Sequence, residues 1–121
     1  EAKMLKVKRI YDPPEKTDGF RILVDRLWPR GVSKQRAHLD LWMKDVAPSD
    51  TLRKWFSHDE KRWKGFEAKY RRELGKKREF LVQIKQLEAE HGVVTLIYST
   101  QDTERNQAVA LREFLKGSAA E

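Results

Sequence analysis

The stretch DRLWPRG at residues 25–31 places Arg26, Trp28 and Arg30 directly after the apolar run Ile22-Leu23-Val24. A guanidinium is planar, permanently charged and offers paired N–H donors, the geometry that grips a carboxylate or a phosphate at two points. A second polar group follows the other strongly apolar run, Val93 to Tyr98. There Tyr98, Ser99, Thr100 and Asp102 lead into a helix N-terminus with Arg105 and Asn106 in its first turn. Hydroxyls beside a helix start, whose first amides lack intrahelical acceptors, also favour an anion. Arg26, Trp28, Arg30, Tyr98, Ser99, Thr100 and Asn106 are therefore the candidate ligand-binding residues, with Arg21, Asp25 and Asp102 as structural support. A purely structural alternative pairs Asp25 with one arginine in a buried ion pair, gives Ser99 and Thr100 to local backbone, and leaves Trp28-Pro29 to packing.

Other chemistries find less support. Cysteine is absent, which removes thiol catalysis, cysteine-ligated metals and disulfides. His38, His58 and His91 are scattered and show no HExxH or other metal-ligand spacing, so no metal site is expected. His58-Asp59 reads as a helix entry and His91 as a helix-end cation. No GxSxG elbow presents a nucleophilic serine. No glycine-rich loop or GxGxxG signals a nucleotide cofactor, and none is expected. Catalytic residues cannot be assigned, and whether the chain is an enzyme stays open.

The elements that must position these groups follow from periodicity. Leu5 to Ile10 alternates apolar and charged residues as a half-buried strand does, and Asp12-Pro13-Pro14 stops it. Arg21 to Leu27 is expected as a second strand. Its consecutive Ile22, Leu23 and Val24 mark a strand covered on both faces, and Pro29 and Gly31 force the chain out of the sheet. A helical turn is expected after Ser33, a short edge strand within residues 39–45, and a brief helix capped by Ser49. Trp63, Phe66, Tyr70 and Leu74 form one apolar stripe at helical spacing, and Phe80, Ile84 and Leu87 another that ends at Gly92. Trp42, Trp55 and Trp63 lie where amphipathic elements need core. Val93 to Tyr98 is a central strand, and Asp102 or Thr103 caps a last helix closed by Lys116-Gly117. This order predicts one α/β domain over residues 1–117, a small mainly parallel sheet of three to four strands flanked by helices in a Rossmann-like three-layer arrangement, with 118–121 as a frayed tail. Ligands of such sheets lie beyond the carboxyl ends of the strands, where the two polar groups converge if their strands are neighbours.

Lysine and arginine number 26 against 19 acidic residues in 121, a net charge of +7. Ten of the basic residues fall within 61–92, against five acidic ones. The basic face of residues 61–78, with Lys61, Arg62, Lys69, Arg72 and Lys76, is the basis of an alternative function, nucleic-acid binding. Interleaved acids such as Glu67 and Glu73 are equally what an ordinary solvated helix carries. No apolar stretch is long enough to span a bilayer, so no membrane partner is expected, and the cytoplasm is the expected location. The sequence assigns no oligomeric state.

The stretches KRIYDPPEKTDGFRILVDRLWPRGVSK, LDLWMKDVAPSDTLRKWFSHD, FEAKYRREL and VTLIYSTQDTERNQAVALREFL reach across roughly residues 5–116 and resemble the YeaO-like group of the bacterial domain of unknown function 488 family. The resemblance implies a small cytosolic α/β protein without an assigned biochemical role. It implies a first signature at Arg21, Asp25, Arg26, Trp28, Pro29, Arg30 and Gly31. The second comprises Ala47, Pro48, Ser49, Leu52, Arg53 and Trp55, and the last Tyr98, Asp102, Asn106 and Ala108. Many relatives carry a histidine immediately before that asparagine, where this chain has Arg105. More distant branches carry a cysteine and a glutamate where Tyr98 and Thr100 stand. Both departures favour binding over acid–base catalysis.

Overall fold

The computed structural model describes residues 3–119. Four strands, β1 (Met4–Arg9), β2 (Phe20–Leu23), β3 (Leu41–Trp42) and β4 (Val93–Tyr98), form one parallel sheet in the order β1-β4-β2-β3. The two apolar strands are adjacent at its centre, with Ile22 opposite Leu96 and Leu23 opposite Ile97. That placement follows from composition, since a strand without a polar face is stable only when covered on both sides.

Five helices supply the cover: α1 (Lys34–Ala37), α2 (Asp50–Phe56), α3 (Trp63–Leu74), α4 (Arg78–His91) and α5 (Gln107–Ala119). On one sheet face Ile22, Val24, Val94, Leu96 and Tyr98 meet Phe56 of α2, Phe66 and Tyr70 of α3, Ile84 of α4 and Leu111 of α5 in the main core. On the other, Leu23 and Ile97 pack with Ile10 and Ala37, covered by Trp28, Val32, Leu39 and Trp42. The α/β three-layer expectation holds. Ser33 and Ser49 cap α1 and α2 as anticipated, accepting from the amides of Arg36 and Leu52 at 3.1 Å each.

Three boundaries differ from expectation. β2 ends at Leu23; Val24 N still donates to Ile97 O at 3.0 Å, and the chain then leaves the ladder. The cause is tertiary: Trp42 Nε1 donates to the Asp25 carbonyl at 2.8 Å, and the Asp25 carboxylate is engaged by Ser99, just after β4, and by Gln107 of α5. The helix entered at His58-Asp59 begins instead as a 3-10 turn over Glu60–Arg62 before α3, while the interruption at Gly75 falls between the two expected stripes, with α4 starting at Arg78. Finally, α5 starts at Gln107 rather than after Asp102 or Thr103, and continues through Gly117 to Ala119. Residues 120 and 121 of the expected tail lie outside the described residues.

Candidate functional site

The carboxyl ends of β2 and β4 open on a cleft of about 400 Å³ lined by both polar groups. Arg26, Trp28 and Arg30 reach it from the loop after β2, and Ser99, Thr100 and Asn106 from the connection between β4 and α5. Six of the seven candidate residues thus share one cavity. Tyr98 is the exception. Strand alternation puts it on the same face as Val94 and Leu96, 2% exposed in the main core, where burial pushes its hydroxyl pKa up.

The loop carrying the arginines is pinned by its neighbours. Tyr11 Oη donates to Arg30 O at 2.9 Å, Trp28 Nε1 to Val32 O at 2.6 Å, and Gly31 turns the chain at φ 78°. Trp28 also meets Trp42 edge-on, with ring centroids 5.4 Å apart, so it is at once a core anchor and a cleft wall. The backbone is held while the Arg26 and Arg30 side chains stay exposed, with no ion-pair or hydrogen-bond partner among the described residues. Two further arginines line the cleft but are engaged: Arg53 by Asp50, and Arg105 by Asp102 at 3.3 Å.

Asp25 forms the floor. No arginine pairs with it, contrary to the simplest structural account of this residue. Its carboxylate accepts from Ser99 Oγ at 2.5 Å and from Gln107 Nε2, both neutral donors. Burial raises its pKa above the ordinary value, and the hydrogen bonds from Ser99 and Gln107 only partly offset that. The Ser99 hydrogen, assigned from sequence to an incoming anion, is therefore already committed to Asp25.

At the start of α5, Asn106 is the capping residue: its Oδ1 accepts from Val109 N and its Nδ2 donates to Asp102 O, both at 2.9 Å. The amides of Gln107 and Ala108 precede the first intrahelical acceptors; Gln107 lines the cleft, whereas Ala108 is fully buried in the main core. Asp102 caps the preceding turn, accepting from the amides of Glu104 and Arg105 at 3.0 Å each. Those bonds, with the Arg105 charge, hold its carboxyl below the ordinary value. Arg21, by contrast, supports from the far ends of the strands: buried, it ion-pairs with Asp18 at 2.5 Å and donates to the carbonyls of Ala37 and His38.

Sequence reasoning missed Gln107, Tyr11 and His58 as cleft residues. It also missed Arg9, which closes the end of β4 by donating to the carbonyls of Ser99 and Thr100 at 3.1 and 2.8 Å. Gln107 left a usable signal, a polar residue in the first turn of a capped helix; the others depend on strand order. On the alternative basic face, Lys61, Arg62, Lys69, Arg72 and Lys76 are all exposed. Arg62 and Lys69, however, are drawn onto the Trp55 ring, at 5.1 and 4.9 Å from its centroid, and Arg62 donates to Trp55 O. Among the described residues no cluster of three or more histidine, aspartate or glutamate side chains is disposed to hold a metal ion, and no helix is long and apolar enough to cross a membrane.

Comparison with known proteins gives the family. Residues 4–121 match the model of the family described as the inactive DUF488-N3 subclade, and the chain belongs to it. It is 39% identical over 112 residues to the uncharacterized protein YeaO of Escherichia coli (strain K12), covering 93% of this chain and 96% of that one. The uncharacterized proteins Rv3073c of Mycobacterium tuberculosis (strain ATCC 25618 / H37Rv) and Mb3100c of Mycobacterium bovis (strain ATCC BAA-935 / AF2122/97) are each 36% identical over 113 residues, covering 93% of this chain and 94% of theirs. No solved structure matches the chain.

Proposed function

We propose that this member of the inactive DUF488-N3 subclade binds a small anionic ligand, phosphate- or carboxylate-bearing, at the carboxyl ends of β2 and β4, as a cytoplasmic binding protein. The observation that carries the proposal is the pair of guanidiniums, Arg26 and Arg30, without protein partners among the described residues, on one cleft at the carboxyl ends of β2 and β4. Two cations on one cleft without counter-charges repel each other, and an anion bound in that cleft relieves the repulsion. No reaction is assigned: Ser99 Oγ donates directly to the Asp25 carboxylate, and no histidine stands between them. Nucleic-acid binding by the α3 face has less to recommend it, because two of its five basic groups are already engaged with Trp55.

Thermal unfolding in phosphate, at ionic strength matched with chloride, tests the proposal. Phosphate at a hundred times its Kd is expected to add about 2.7 kcal/mol of stability, and Arg30→Ala to abolish the gain. An unfolding midpoint that does not respond to phosphate in the native protein refutes it.

A further inference from the structure

The rim and the floor of the cleft have opposite hydrogen-bonding character. At the rim, the exposed Arg26 and Arg30 guanidiniums are donors without protein acceptors among the described residues. At the floor stands the Asp25 carboxylate, 8% exposed and without a cation. A hydroxyl has one hydrogen, and that of Ser99 is given to Asp25 Oδ2 at 2.5 Å, so Ser99 turns only lone pairs toward the cavity. Gln107 commits one amide hydrogen to Asp25 Oδ1. A carboxylate has about four acceptor positions; the Ser99 hydroxyl, the Ser99 amide and Gln107 occupy three, which leaves part of its capacity to the occupant of the cleft.

An anion without hydrogens, set between rim and floor, is welcomed by the guanidiniums and meets acceptor against acceptor below. An anion that carries its own O–H or N–H satisfies both sides. Resting on the anion-binding proposal, we infer that Asp25 makes the cleft selective for anions bearing a hydrogen-bond donor, such as hydrogen phosphate or a hydroxy or amino carboxylate, over anions that bear none. The physical basis is that an acceptor left facing an acceptor in a buried site loses the full value of its lost hydration, whereas a misplaced charge at an exposed rim loses little.

Phosphate and sulfate are the probes. At pH 8 both are tetrahedral dianions for the most part, and only phosphate retains a hydrogen. Titration calorimetry on the full chain at constant ionic strength is expected to show phosphate bound about tenfold or more tightly than sulfate. Asp25→Asn keeps the shape and adds amide donors, and is expected to bring the two affinities to within about twofold by strengthening sulfate. Arg30→Ala is expected to weaken both anions alike. Equal affinities in the native protein, a ratio that needs no variant to measure, overturn the selectivity and leave the anion site standing. So does a phosphate preference undiminished in Asp25→Asn. Failure of both anions to bind overturns the site itself.

Discussion

Asp18 and Asp25 are both buried carboxyls, and their partners drive them apart. Burial alone would raise Asp18, but the Glu15 amide, Lys8 and Arg21 hold it below the ordinary value of 3.8. Its contribution to stability is therefore present above 3.8 and lost as pH falls through its folded-state value. Asp18→Asn leaves Lys8 and Arg21 without their charge partner and is expected to cost about 3–5 kcal/mol at pH 7 in urea unfolding, less in acid. Asp25 is shifted the other way. Its contribution is complete below 3.8 and is lost as pH rises through its raised folded-state value, so above that value the buried carboxyl burdens the fold. Asp25→Asn is expected to be more stable than the native protein at pH 7 and to lose that advantage by pH 3; a variant less stable at neutral pH would contradict this. Retention of a destabilising carboxylate is what a binding residue displays. Among the site residues, Arg26 and Arg30 could be read directly, because charge next to Pro29 and Gly31 marks an exposed turn. The Asp25–Gln107 contact could not, since it joins residues 82 apart and exists only because β2 and β4 are neighbours.

At the scale of elements, two glycine and asparagine positions decide whether the site is assembled. Gly19 enters β2 at φ 64°, and a Cβ there would lie 2.3 Å from Val93 O, so β2 and β4 meet only because that atom is missing. Gly19→Ala is expected to cost about 3 kcal/mol or more, read by denaturant unfolding. Asn106→Ala removes the α5 cap and is expected to cost about 1 kcal/mol and to weaken phosphate binding, because Asn106 and the Gln107 it helps to fix both line the cleft. An Asn106→Ala variant of unchanged stability would refute that role. Core strands and long helices were legible because their periodicity is a packing requirement. The start of α5 was not, as Asp102 and Asn106 are both good caps and only the Val109 amide decides between them. Likewise the apolar run from Ile22 predicted a longer β2 than forms, since the bonds that draw Asp25 away come from Trp42, Ser99 and Gln107.

For the whole molecule, the parallel sheet and its two covered faces followed from the order of strands and helices, and they place the loop after β2 and the connection from β4 to α5 at one end. The net charge of +7 said less, because it is spread over surfaces with different partners. On α3 two basic groups lie on Trp55, whereas at the cleft Arg26 and Arg30 have none among the described residues. Placement, not the amount of charge, distinguishes a site from a solvated face. The most direct measurement is a phosphate titration of the uniformly ¹⁵N-labelled chain at fixed ionic strength, followed by amide chemical shifts. Saturable shifts confined to residues 25–31 and 99–108 are predicted. Shifts that do not saturate, or that centre on residues 61–78, would contradict an anion site between Arg26, Arg30 and the start of α5.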